Sequence, residues 1–134
     1  MKYGLFSLFT FCLLFSAPSF AASCDQCEVI ADHHRLVDSG DKGQVRQVVR
    51  FLKGFQFSES RSERRKEMLA ILKLGAKVAP LEHSPTVGSV LYGIVREYTR
   101  EFYPALNRLS RKDQYQIIQE IRATRFIMAH NFVQ

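Results

Sequence analysis

The stretch Ala21–His34, AASCDQCEVIADHH, places Cys24 and Cys27 in a C-x-x-C spacing and follows them with adjacent histidines, His33 and His34. Thiolates and imidazoles together hold transition metals. A C-x-x-C pair at the start of a helix can exchange disulfides, because the positive helix end favours a thiolate. The same two cysteines can also simply close a local disulfide. Spacing separates these chemistries. On one continuous helix, stepping 100° per residue, His33 falls inside the apolar arc of Val29, Ile30, Leu36 and Val37, and Cys24 lies opposite that arc. Cys27 and His34 point the same way but are seven residues apart, about 10 Å of rise. Zinc–ligand bonds are only about 2 Å long, so one ion cannot collect Cys24, Cys27, His33 and His34 from an intact helix. Such a site needs unwinding, or a ligand such as His83 or His130 from elsewhere. His33 therefore reads as a core-facing histidine with a hydrogen-bond partner. Redox enzymes of this spacing set the motif between a strand and a helix, and no strand pattern precedes Cys24. The pair is expected to be a disulfide staple on the first helix, with a thiol-redox or metal-binding module as the alternative use of the same residues.

The elements that must position these residues begin after a leader. Residues 1–21, MKYGLFSLFTFCLLFSAPSFA, have a basic Lys2, an apolar run from Tyr3 to Phe15, and small residues at Ser19 and Ala21. This is the pattern of a cleavable signal peptide, with cleavage expected after Ala21. The run is too short for the roughly 20 residues that span a bilayer, and the mature chain is expected to have no transmembrane span. Residues 22–134 then form a single domain of 113 residues with 18 basic and 13 acidic side chains, a net charge of +5. Cys12 leaves with the leader, so Cys24 and Cys27 are the only thiols, and an even count in an exported chain favours a disulfide. The expected location is periplasmic or secreted, the leader being bacterial in style. Ala21-Ala22-Ser23-Cys24 also resembles a relaxed bacterial lipobox. That resemblance implies lipidation of Cys24 and, with Asp25 next, an inner-membrane lipoprotein, a lipid-anchored accessory of the envelope. It departs from the pattern in carrying alanine where leucine is usual, and it would leave Cys27 unpaired.

Periodicity predicts an all-α domain, a small bundle of four to five amphipathic helices. The first runs from about Asp25 to Asp38 and ends at Ser39-Gly40. Asp41, with Gln44 after it, caps a second helix striped by Val45, Val48, Val49 and Leu52; Gly54 is its left-handed stop, and Phe55 packs back on the last turn. Ser60 with Glu63 is a capping box for a third helix striped by Met68, Ile71, Leu72, Gly75, Ala76 and Ala79 and stopped by Pro80. Ser84-Pro85 starts a fourth, with Val87, Val90, Leu91, Ile94, Val95, Tyr98 and Phe102, which Pro104 breaks or kinks. Ser110 with Asp113 caps a fifth, with Ile117, Ile118, Ile121, Met128 and Phe132.

The charge pattern bounds the partners. The densest run, ESRSERRKE at 59–67, carries a basic patch of Arg61, Arg64, Arg65 and Lys66 at the positive end of the third helix, where a nearby anion would help. Its interspersed acids mark it first as a solvated helix face. Glu97 and Arg100 are spaced to pair. Arg108, Arg111, Lys112, Arg122 and Arg125 add to the basic excess. Nucleic acid binding needs a reading helix or stacking platform beyond charge, and neither is legible; an anionic lipid or cell-wall polymer suits an exported basic chain better. In RFIMAHNFV, 125–133, apolar residues cover much of the helix circumference, and burial of this end is expected. There is no glycine-rich phosphate loop, H-E-x-x-H or G-x-S-x-G, no Glu-x-x-His of di-iron bundles, and Glu28 after Cys27 spoils the haem-attachment form. No catalytic residue and no cofactor is expected. The sequence thus predicts a non-enzymatic binding factor whose partner is an envelope protein or an anionic surface.

Overall fold

The computed structural model describes residues 24–133, and the side-chain surroundings of residues 24–129. The leader lies outside the described residues. Six α-helices follow one another: α1 (Cys27–Asp38), α2 (Lys42–Gly54), α3 (Arg61–Val78), α4 (Thr86–Glu97), α5 (Thr99–Arg108) and α6 (Arg111–Val133), with a 3-10 turn at Ala79–Leu81. No strand occurs among the described residues.

The local chemistry explains most of the boundaries. Gly40 holds φ at 73°, a left-handed conformation that L side chains resist, and turns the chain out of α1. Asp41 Oδ1 accepts the Gly43 amide at 2.7 Å at the start of α2. Ser60 Oγ accepts from the Glu63 amide at 3.5 Å, Ser84 Oγ from Thr86 at 3.4 Å, and Ser110 Oγ from Asp113 at 3.2 Å, opening α3, α4 and α6. Gly54 is not a left-handed stop: α2 ends because Phe55 turns extended, with φ −68° and ψ 134°. Phe55 does pack back, edge-on to Phe51 with ring centroids 5.6 Å apart. The Gln44 half of its expected cap is not made either, and Gln44 Oε1 is buried without a hydrogen-bond partner.

Two elements differ from the sequence expectation in kind. The first helix starts at Cys27, and Cys24 to Gln26 form a turn closed by the Cys27 amide on the Cys24 carbonyl at 3.0 Å. The fourth predicted helix is two helices, and the break falls at Tyr98 (φ −121°, ψ 45°), six residues before Pro104. Pro104 is exposed inside the short α5, so the Arg100 carbonyl that it leaves without a donor can turn to water. The break also separates Glu97 from Arg100, which form no ion pair among the described residues.

α3 is the axis of the bundle. It packs against each of the other five helices and buries residues all round: Met68, Ile71, Leu72, Leu74, Ala76, Val78 and the carboxylate-bearing Glu67. Around it lie Ile30 and Val37 of α1, Val45, Val48, Val49 and Leu52 of α2, Val87, Leu91 and Ile94 of α4, Phe102, Ala105 and Leu106 of α5, and Ile117 of α6. Burying each such side chain stabilises the fold by about 1.5–3 kcal/mol relative to exposure. Close approach is needed once. A Cβ on Gly88 would overlap Thr124 Oγ1 and come within 2.9 Å of the Glu120 carbonyl oxygen, so glycine is what lets α6 seat on α4.

Candidate functional site

The sulfurs of Cys24 and Cys27 are at bonding distance, with Cα atoms 4.9 Å apart. Cys24 is 7 % exposed, and Cys27 is half-buried. The turn that carries them is fastened to α3 by a network that sequence reading missed. The fully buried Glu67 receives the Gln26 side-chain amide at 2.8 Å and the Ser58 backbone amide at 2.8 Å, and its Oε2 also accepts the Ser58 hydroxyl. Three donors on one carboxylate satisfy a group that would otherwise be costly to bury. The Asp25 amide donates to Glu63 Oε2 at 3.4 Å. One signal was legible: Glu67 occupies a position on the buried side of a helix striped by Met68, Ile71 and Leu72.

The structure does not bring the four metal candidates together. His33 is half-buried, stacked on Phe51 at 3.8 Å between centroids, with Nδ1 hydrogen-bonded to the Val29 carbonyl at 2.8 Å. It has the partner expected of it, although Val29 of the same predicted apolar arc is 45 % exposed. His34 faces a different concavity, shared with Lys73, Lys77 and Lys112. Burial and the Lys77 charge hold its imidazole below the usual histidine range, against opposing help from the Ala70 backbone and Asp38. The residues that do converge are Cys24, Glu63 and Glu67, with candidate ligand atoms within 4.8 Å of one another. With its sulfur bonded to Cys27, Cys24 offers no thiolate to a metal there.

Two members of the predicted basic patch, Arg64 and Arg61, face a carboxylate of the same chain. Arg64 donates to Glu101 Oε1 from Nε at 3.2 Å and Nη2 at 3.0 Å, and from Nη1 to the carbonyls of Ser58 and Glu59. Its guanidinium also lies 5.6 Å from the centre of the Tyr98 ring. Arg61 stands 3.9 Å from the same carboxylate. Desolvation pushes the Glu101 carboxyl up, but the Arg64 hydrogen bonds, its own backbone amide and the charges of Arg64 and Arg61 outweigh it and hold the group below the usual carboxylate range. The anion that these arginines wanted is thus Glu101, supplied by α5. Arg65 remains exposed, and Lys66 is half-buried. The Arg64–Glu101 pair closes a line of rings, His33, Phe51, Phe55, Phe57 and Tyr98, that runs from α1 to the break between α4 and α5.

A second cationic surface has the stronger claim. Lys42, Arg46, Arg50 and Lys53 are all exposed, and at 100° per residue they share an arc of about 80° on α2, beside the buried arc of Val45, Val48, Val49 and Leu52. The stripe is about 16 Å long. α2 contains no acidic residue, and none of the four cations makes an ion pair among the described residues. Arg46, Arg50 and Lys53 border a groove with Ser84, Thr86 and one acid, Glu82. The spacing 4, 4, 3 was readable in the sequence, but the run at 59–67 is denser and carries the more obvious charge signal.

The end of α6 corrects another expectation. Residues 125–129 are exposed at every position, with Phe126 at 72 %, Ile127 at 45 % and Met128 at 44 %, so the described part of RFIMAHNFV is not buried. Thr124, seated on Gly88, is the last buried residue described. No described helix is long and apolar enough to cross a membrane. Comparison with family models, curated proteins and solved structures gives no match to this chain.

Proposed function

We propose that the chain is an exported, non-enzymatic binding factor of the cell envelope that engages an anionic partner through the cationic stripe of α2. The observation that carries this reading is the stripe itself: four exposed cations on one face of a rigid helix, with no acid on that helix and no ion pair to any of them among the described residues. By contrast, Arg61 and Arg64 near the start of α3 are paired with Glu101. Residues 1–21 supply the case for export, and the disulfide pair suits an oxidising compartment. The Cys24–Cys27 turn serves as a staple in this reading, because Cys24 is buried beside the carboxylates of Glu63 and Glu67 and the turn is fastened to α3 through Gln26 and Glu67.

Cosedimentation with isolated envelope membranes and with cell-wall polymer, across a salt series, tests the proposal. Binding is expected to weaken as salt rises and to be lost in the variant Lys42→Gln/Arg46→Gln/Arg50→Gln/Lys53→Gln, whose melting temperature stays near that of the parent. Undiminished binding by that variant overturns the proposal. So does reproducible turnover of a small substrate by the pure protein that one point substitution abolishes.

A further inference from the structure

We propose that the α2 stripe is one bank of a furrow that holds a single strand of an acidic polysaccharide, an assignment that rests on the envelope-binding reading and names the partner's chemistry more closely. Three concavities follow one another along α2. The first lies between Lys42, Val45 and Arg46 on one side and Leu81, Glu82 and His83 on the other. The second is the groove of Arg46, Arg50 and Lys53 with Ser84 and Thr86. The third, of about 440 Å³, is bordered by Lys53, Phe55 and Phe57 and by α4 as far as Tyr98. Arg46 borders the first two and Lys53 the last two, so the three join end to end beside the stripe. On the α4 bank of the third, Ser89, Gly93 and Glu97 are exposed and four residues apart, so they stand in one row. Gly93 keeps that row low, since a Cβ there would meet nothing within 4 Å.

The two banks differ in chemistry, and the difference selects the occupant. The α2 bank is cationic. The facing bank carries the hydroxyls of Ser84, Thr86 and Ser89 and the carboxylates of Glu82 and Glu97. A bilayer of anionic lipid meets a protein as a plane; it would leave the furrow unfilled and press its phosphates on the two acids as well as on the cations. A strand of acidic sugars uses both banks. Its charged groups pair with the lysines and arginines, and its hydroxyls donate to the carboxylates and exchange hydrogen bonds with serine and threonine. The third concavity adds the half-buried rings of Phe55, Phe57 and Tyr98, against which the C–H face of a sugar ring packs. Single-stranded nucleic acid also stacks on rings and follows cations, but it brings a phosphate at every unit to a furrow that contains two acids.

Gly93→Leu fills the furrow without touching the cations, and leucine favours a helix over glycine, so its melting temperature should not fall below the parent's. The probe is labelled oligogalacturonate, a linear sugar chain with one carboxylate on each ring, followed by fluorescence anisotropy. Binding should weaken with salt, and Gly93→Leu should lower it by about tenfold. In isotope-labelled protein the amide shifts on titration should gather at Gln56, Ser89 and Gly93. Polyphosphate of equal total charge, which has neither rings nor hydroxyls, should displace the probe poorly. Absence of binding, parental affinity of the Gly93→Leu variant, or amide shifts that leave Ser89 and Gly93 in place overturns the assignment. So does displacement by polyphosphate or oligothymidylate as effective as that by unlabelled oligogalacturonate, which would make the stripe a reader of charge alone or of nucleic acid. Flotation with phosphatidylglycerol vesicles that oligogalacturonate does not suppress would assign the stripe to a bilayer instead. In each of these cases, loss of envelope cosedimentation in the α2 variant would leave the binding function standing without the sugar strand; its retention would remove both.

Discussion

Two carboxylates beside a bonded sulfur determine how the Cys24–Cys27 pair behaves. Exchange requires an incoming thiolate to attack one sulfur and the other to leave as a thiolate. Cys24 is buried, so attack falls on Cys27 and Cys24 must leave into a site that already holds Glu63 and Glu67. The negative surroundings disfavour that leaving group. Reduction by dithiothreitol should therefore be slow, and Glu63→Gln should speed it about threefold, followed by mass shift after alkylation. Cys24→Ser/Cys27→Ser should still fold, with a loss of about 2 kcal/mol in chemical denaturation, the value for so short a loop. Glu101 gives a pH signature of opposite origin. Its carboxyl binds a proton less readily folded than unfolded. The stability it lends is thus complete above the ordinary carboxylate value of 4.5 and is lost as pH falls from there through the depressed folded value. Arg64→Ala should cost about 2 kcal/mol at neutral pH by stripping charge-assisted hydrogen bonds from a buried acid. It should also flatten the acid limb of stability between about pH 5 and the folded value, measured by thermal melts across that range.

At the scale of elements, two glycines in helices test how closely the helices are seated. Gly75 faces only the flexible Leu91 side chain, 3.3 Å from an added Cβ, whereas Gly88 faces Thr124 Oγ1 and a backbone oxygen of α6. Gly75→Ala should be close to neutral, since the helix propensity gained, about 1 kcal/mol, offsets a small side-chain shift. Gly88→Ala should destabilise by about 1–3 kcal/mol, and Thr124→Ala in the same chain should restore part of it; urea unfolding of the three variants measures both. The helical class, the caps at Asp41, Ser60 and Ser110, and the buried positions of α2 and α3 were legible because each depends on neighbours within one or two turns. What escaped depends on distant residues. Tyr98 breaks a helix whose apolar period runs unbroken into Phe102, where ring contact with Phe57 and the Arg64–Glu101 pair meet. Glu63 looked like half of a capping box, but its carboxylate goes to the Asp25 amide, 38 residues away. Phe126, Ile127 and Met128 of α6 read as core because composition alone does not set how exposed an apolar side chain is.

For the molecule as a whole, five helices around α3 leave the cations unevenly shared. Arg61 and Arg64 near the start of α3 pair with Glu101, and the four on α2 are exposed on a helix fixed by Val45, Val48, Val49 and Leu52. Rigid backing turns a set of charges into a ruler. Successive cations on α2 stand about 6, 6 and 4.5 Å apart along the axis, and packing forbids them to slide. Among linear polyanions of equal total charge, those whose negative groups recur at about 6 Å should compete best for the chain, in displacement measured by fluorescence anisotropy. A disordered tail of the same composition would count charges without measuring the gaps between them.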